Sequence, residues 1–149
     1  MYNNEYFMKL ALEQAKFADI EDEIPVGAVI VKDNVVIASA YNQKDKEKLV
    51  TRHAELIAIE KASAKLKDWR LNDTIIYVTL EPCPMCASAI QQARISKIIY
   101  GCDSNITDNR KIIEQILQNN NYNHQVIIER GIMSDECSSI IKKFFNNKR

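Results

Sequence analysis

The sequence predicts an α/β fold. Three observations lead there: helix-period and strand-period segments alternate along the chain, no internal repeat interrupts them, and no Pro-, Gly- or Ser-rich linker divides them. Three glycines and three prolines are all that punctuate 149 residues, of which 46% are hydrophobic and 27% charged. That composition over that length suits one globular domain, 1–149, able to bury a core of its own.

The elements follow in order. Over 5–18, Phe7, Met8, Ala11, Leu12 and Ala15 recur at helical spacing, which marks an amphipathic helix covering one face of a sheet. Residues 27–31 and 35–41 are β-branched runs separated by the polar turn signal Lys32-Asp33-Asn34, so they are expected to form an antiparallel hairpin. From 53 to 66, apolar residues at 56, 57, 59, 62 and 66 among good helix formers predict a long helix, and 74–79 reads as a compact strand. Another helix should begin near Cys83. A strand over 95–100, a short helix over 112–118, a strand over 125–129 and a last helix over 134–145 complete the alternation. Residues 103–109 and 119–123 have loop composition, their asparagines suiting turns and left-handed backbone.

Several function classes are excluded by charge and hydropathy. Lys plus Arg equals Asp plus Glu at 20 each, so no global field steers a polyanion, and any RNA contact must come from a local patch. Apolar runs such as 25–31 fall far short of the roughly 20 residues that span a bilayer. The N-terminal Met1-Tyr2-Asn3-Asn4-Glu5 lacks the basic segment and apolar block of an export signal, so the expected location is the cytoplasm. Four cysteines, two of them in Cys83-Pro84-Met85-Cys86, do not make the dense disulfide framework of a small secreted domain; reduced thiols or metal ligands are expected.

Cys83 and Cys86, three apart, fall on one face of a helix and can reach one ion. Pro84 suits the first helical position, which places Cys83 at the cap and both sulfurs at the positive end of the helix dipole, where thiolates are favoured. A Cys-x-x-Cys pair by itself also fits a redox dithiol or half of a structural zinc site. His53-Ala54-Glu55 supplies the rest: an imidazole as third ligand, and a carboxylate free to move protons. Residues i and i+2 of a helix point roughly 200° apart, so His53 and Glu55 can face one centre only if it lies beyond the helix end, and the expected helix begins there.

Three protein ligands leave the fourth tetrahedral position open, which distinguishes catalytic from structural zinc. A closed site completed by Cys102, Cys137 or His124 would leave Glu55 unexplained. Cys102 and Cys137 are expected as small buried hydrophobes, and His124, among asparagines, as a surface residue. His-x-Glu followed by Pro-Cys-x-x-Cys is the signature of zinc nucleobase deaminases, and it stands here as His53-Ala54-Glu55 and Pro82-Cys83-Pro84-Met85-Cys86.

Beyond that motif, the chain resembles the bacterial tRNA adenosine deaminases, which convert the wobble adenosine of an anticodon to inosine. The resemblance runs nearly end to end, through Pro25-Val26-Gly27-Ala28-Val29-Ile30, Asn42, Asp68-Trp69-Arg70-Leu71, Tyr77-Val78-Thr79-Leu80-Glu81-Pro82, Gly131-Ile132, Asp135-Glu136-Cys137 and Phe144-Phe145. It implies a three-layer α/β/α, cytidine-deaminase-like fold with a mixed five-stranded sheet, one zinc per chain, and homodimers with active sites near the subunit interface. It further implies that Asn42 hydrogen-bonds the nucleoside, that Val29 and Ala54 line its pocket, and that Phe145, Lys148 and Arg149 touch the RNA, an anticodon stem-loop.

Two segments depart from the family pattern. Leu49-Val50-Thr51-Arg52 stands where Asp-Pro-Thr-Ala is usual, and 101–110 replaces a Gly-Ala-rich substrate-contacting loop. The nearest alternatives are a guanine or other small nucleobase or nucleoside deaminase, which shares the Pro-Cys-Pro-Met-Cys form, and a non-catalytic zinc module that binds RNA or a partner.

Overall fold

The structure, a computed structural model, describes residues 1–148. The chain runs α1 (Asn4–Ile20), β1 (Gly27–Lys32), β2 (Val35–Tyr41), α2 (Lys44–Glu47), α3 (Ala54–Leu66), β3 (Thr74–Leu80), α4 (Pro84–Gln92), β4 (Lys97–Cys102), α5 (Asn109–Leu117), β5 (Ile127–Arg130) and α6 (Ser134–Asn147). The expected alternation is present, with one addition, α2.

The strands form a single mixed sheet in the order β2-β1-β3-β4-β5. β1 pairs antiparallel with both β2 and β3, whereas β3, β4 and β5 are parallel. Asp33 and Asn34 both take positive φ in the turn between β1 and β2, the backbone that a tight hairpin demands and that Asp and Asn tolerate.

Strand alternation splits the core in two. Ala28, Ile30, Ile76, Val78, Ile98 and Tyr100 pack on one face against Ile57 and Ala58 of α3, Ala87 and Ile90 of α4, and Ile113 and Leu117 of α5. Val29, Val31, Tyr77 and Ile99 point the other way, onto Phe7, Met8, Ala11 and Leu12 of α1 and Cys137 of α6. With both faces covered, the central strands are apolar at nearly every position instead of alternating with polar residues. Gly27 is required by the close approach of α1 to β1, because a Cβ there would sit 2.0 Å from the Ala11 carbonyl oxygen and 2.6 Å from the Ala15 nitrogen. No helix among the described residues is long and apolar enough to cross a membrane.

Where element boundaries differ from expectation, tertiary bonds account for it. The α2 turn carries no apolar stripe; the buried Glu23 carboxylate nucleates it by accepting from the N–H groups of Asp45 (3.0 Å) and Lys46 (2.7 Å). β4 starts at Lys97 and not at 95, and His124, expected on the surface, is half-buried with its Nε2 2.8 Å from the Ile95 carbonyl oxygen. α5 starts at Asn109 because that side chain is bonded into the interior, as described below.

Tyr77 offers a test of the α1 layer. Its hydroxyl donates to Asn4 Oδ1 at 2.7 Å. Burial, with the Glu129 carboxylate adding to it, pushes the phenol from 10.0 up to about 12. The unfolded phenol ionises first, so this group's contribution is complete below pH 10 and is lost as pH rises through about 12. Tyr77→Phe should therefore lose about 1 kcal/mol at neutral pH, with the hydrogen bond. It should also flatten the alkaline decline by on the order of 2 kcal/mol. Urea titrations at neutral and alkaline pH check this, and an unaltered alkaline slope would count against a buried, hydrogen-bonded phenol.

Candidate active site

The sheet topology brings four chain segments to one edge. Because β1 runs antiparallel to its neighbours, its start lies beside the ends of β2 and β3: Gly27 pairs with Tyr41, and its N–H donates to Thr79 Oγ1 at 3.2 Å. Leu80 at the end of β3 pairs with Cys102 at the end of β4. The residues just outside these ends are Val26, Asn42, Glu81 to Cys83, and Asp103 onward. The carboxyl ends of parallel strands are where open α/β sheets place ligands.

Two helix N-termini meet at this edge. His53 caps α3 and Cys83 caps α4, both in extended backbone, and Pro84 occupies the first turn of α4 as expected from its missing N–H. His53 Nδ1 lies 3.7 Å from Cys83 Sγ and 3.4 Å from Cys86 Sγ. The three donor atoms all fall within 4.8 Å of one another. Tetrahedral zinc with bonds of about 2.0–2.1 Å to nitrogen and about 2.3 Å to sulfur sets those atoms roughly 3.6 Å apart, so the donor set fits the ion.

The electrostatics fit it too. Cys83 is lowered to about 4 by hydrogen bonding from Cys86 and, against the cost of burial, from His53. Cys86 is pushed far up by its bond to Cys83 and by burial. His53 is raised by its bond to Cys83. Two adjacent thiols therefore share one negative charge, and a dication at their centre is what allows both to ionise.

Glu55, in the first turn of α3, is 3% exposed, and burial raises its carboxyl above the usual range. Together with His53 and Cys83 it lines a cavity of about 270 Å³ whose walls include Val26, Asn42, Leu80, Glu81, Ser104, Ile106 and Asn109. Two of the three donor residues and a carboxyl with a raised pKa thus face one cavity, as acid–base chemistry requires.

Asn42 reaches the pocket from the end of β2. Its Oδ1 accepts from the Ala54 N–H at 2.8 Å, capping α3 in place of the His53 side chain, which makes no cap bond. With the oxygen so fixed, the Nδ2 donor is the part of the amide left for a ligand.

The other sequence-expected positions fall outside the cavity. Val29 is fully buried against the α1 layer, because the pocket lies beyond the end of β1, where Val26 takes the lining position. Ala54 is fully buried in the α3 layer, while its neighbours His53 and Glu55 face the cavity. Phe145 is exposed near the end of α6, edge-on to Phe144. The Lys148 ammonium pairs with Asp22, beside the pocket residue Glu23, so the end of α6 stands near the pocket rim. Arg149 lies outside the described residues.

Glu81, Ser104, Ile106 and Asn109 are pocket residues that sequence reasoning did not assign. Glu81 sat within the quoted motif, an acid directly between a buried strand and the Pro-Cys pair, and that was the available signal.

Residues 1–102 match the model of the cytidine and deoxycytidylate deaminase zinc-binding region. A curated tRNA-specific adenosine deaminase of Streptococcus pyogenes serotype M18 is 40% identical over 144 residues, 97% of this chain and 91% of that protein. A solved structure from work on A-to-I editing by tRNA:A34 deaminases at the wobble position of transfer RNA superposes with a TM-score of 0.83 at 36% identity, over 91% of this chain and 98% of that one. The guanine deaminase of Bacillus subtilis is 40% identical with a TM-score of 0.65, over 68% of this chain and 66% of its own.

Proposed function

The chain belongs to the cytidine and deoxycytidylate deaminase family, and from that premise we propose that it hydrolyses adenosine in tRNA to inosine, releasing ammonia, at the wobble position. The observation that carries the chemistry is the His53, Cys83 and Cys86 donor set, of which His53 and Cys83 stand on the wall of the same small cavity as the buried Glu55.

His53 Nδ1, Cys83 Sγ and Cys86 Sγ hold one zinc ion. Bound there, the ion would supply Lewis-acid activation of a water, lowering its pKa from about 15.7 toward about 7. Glu55 takes one proton from the attacking water and passes it to the ring nitrogen, then takes the second from the newly formed hydroxyl and passes it to the departing amine, which leaves as ammonia. Its burial serves this, since a carboxyl raised above its ordinary range is a stronger base than an exposed one. Asn42 Nδ2 donates to the nucleoside, its orientation locked by the bond to the Ala54 N–H. Val26 and Leu80 give the pocket apolar walls that flank the base and keep bulk water away.

A cavity of about 270 Å³ admits one base and no duplex, so the target nucleotide must be splayed out of its stack. An anticodon stem-loop presents such a base, and Phe145, near the end of α6, is an exposed aromatic face on which a base can stack. A homodimer is supported by Leu49 and Val50, exposed apolar residues just before His53 where a second subunit would cover them.

The guanine deaminase match is a second reading, favoured by its 40% identity but limited to 68% of the chain, against 97% for the tRNA deaminase relative. A deamination panel decides. An anticodon stem-loop with a wobble adenosine should be turned over at least about 100-fold more efficiently than free adenosine, guanine or cytidine, a gap expected when remote contacts contribute to the transition state. Preference for free guanine would overturn the tRNA assignment.

A further inference from the structure

We infer that Glu81 is a positioning residue of this site: it fixes residues 103–109 as a wall of the pocket and so governs how tightly substrate is held, taking no part in metal binding or proton transfer. The identity of the substrate rests on the deaminase reading above. The anchoring itself stands on β3, β4 and α5.

Glu81 leaves β3 beside the end of β4, its N–H donating to the Cys102 carbonyl at 2.8 Å, and it is 4% exposed. Its carboxylate is surrounded by donors from the segment that follows β4. Oε2 accepts from the Ser104 N–H at 3.2 Å, from Ser104 Oγ at 2.6 Å and from Asn109 Nδ2 at 2.9 Å, while the Tyr100 hydroxyl stands 3.5 Å from Oε1. Asn109 Nδ2 also donates to the Pro82 carbonyl at 3.1 Å, which ties the start of α5 to the residue before the ligand Cys83. A single buried acceptor thus grips the segment at both ends, through Ser104 and Asn109.

Little else holds it. Ile106, between the two anchors, is 68% exposed and packs into neither core. Within the segment the Asn109 N–H donates to the Ile106 carbonyl at 3.2 Å, and the Arg110–Asp103 contact, at 3.8 Å between exposed side chains, adds little. Yet Ser104, Ile106 and Asn109 line the pocket beside His53, Glu55 and Cys83. A wall with no apolar anchor of its own, pinned by one carboxylate, makes the carboxylate the determinant of where that wall stands. Asp108, at positive φ just before α5, and the buried Asn109 fit the same picture: the chain turns sharply there to bring the Asn109 amide onto Glu81.

Glu81→Met keeps length and most of the volume and loses the acceptor that three donors share, and Asn109→Ala removes the far anchor. Both variants, and the double variant, are to be made in the zinc-loaded full chain. Each single change should raise KM for the anticodon stem-loop about 10-fold or more with kcat within about threefold of the parent and one zinc per chain retained. The double variant should show a KM close to that of either single one, since both cut the same anchor. Independently of activity, hydrogen exchange at the Ser104 amide should lose at least about tenfold protection in Glu81→Met. Unchanged KM with unchanged exchange, a loss confined to kcat, or loss of zinc would each overturn the inference. Inactivity of the parent on every RNA would fall on the proposed function, and exchange at Ser104 would then decide the anchor by itself.

Discussion

Glu55→Gln retains zinc and the fold and loses turnover by about 10²–10⁴-fold, the range contributed by a positioned general acid–base. The amide matches the carboxyl in shape, and the pocket and ligands are undisturbed, so only the capacity to take and return a proton disappears. Stability provides a second readout. Burial raises the Glu55 carboxyl above its ordinary 4.5, so this group favours folding most below that pH, and its contribution declines as pH rises through the folded value. An uncharged glutamine escapes that decline. The metal-free variant should therefore be at least as stable as the metal-free parent at neutral pH, with thermal unfolding as the check. Ordinary turnover in Glu55→Gln would remove Glu55 from the proton path, and a marked fall in stability would make it a structural anchor instead.

Cys86→Ala and Cys83→Ala abolish metal binding and, with it, activity. In the metal-free site one thiol ionises at about 4 while its neighbour is pushed up, because a second thiolate alongside the first is costly without a dication. Removing either sulfur leaves two protein ligands, one short of the set that holds a catalytic zinc. Elemental analysis should fall from one zinc per chain to less than about a tenth of that. Cys86 is fully buried, so the alanine there also leaves a small void near Ala87 and Ile90, whereas Cys83 sits at the half-exposed cap. Cys83→Ala is the cleaner test for that reason: it should lose metal with little change in the fold of the metal-free chain, as read by circular dichroism. A full complement of zinc in either variant would refute the ligand set.

The alternation of periodicities, the hairpin turn at Asp33-Asn34 and the helix start at Cys83-Pro84 were all legible in the chain, because each depends on residues adjacent in sequence. So was the donor set: the types His, Cys and Cys, with Glu55 spaced off a helix end, specify metal chemistry before any distance is known. The three-layer arrangement followed from the family resemblance, and its physical basis is visible in strands apolar on both faces.

What only the tertiary structure decided is which residues wall the pocket. Val29 reads as a pocket residue by resemblance but faces α1, because the cavity opens past the strand end and the register of β1 against β3 turns that side chain to the other layer. Glu23 and Glu81 have no role that local spacing assigns, yet each is buried and spends its carboxylate on backbone or side-chain donors far away in sequence, one building α2 and the other holding 103–109. Local spacing determined the chemistry of this protein, since ligand type and helix ends are local properties. The shape that selects a substrate depends on hydrogen bonds between residues more than twenty positions apart, and those exist only once β1, β3 and β4 have brought their ends together.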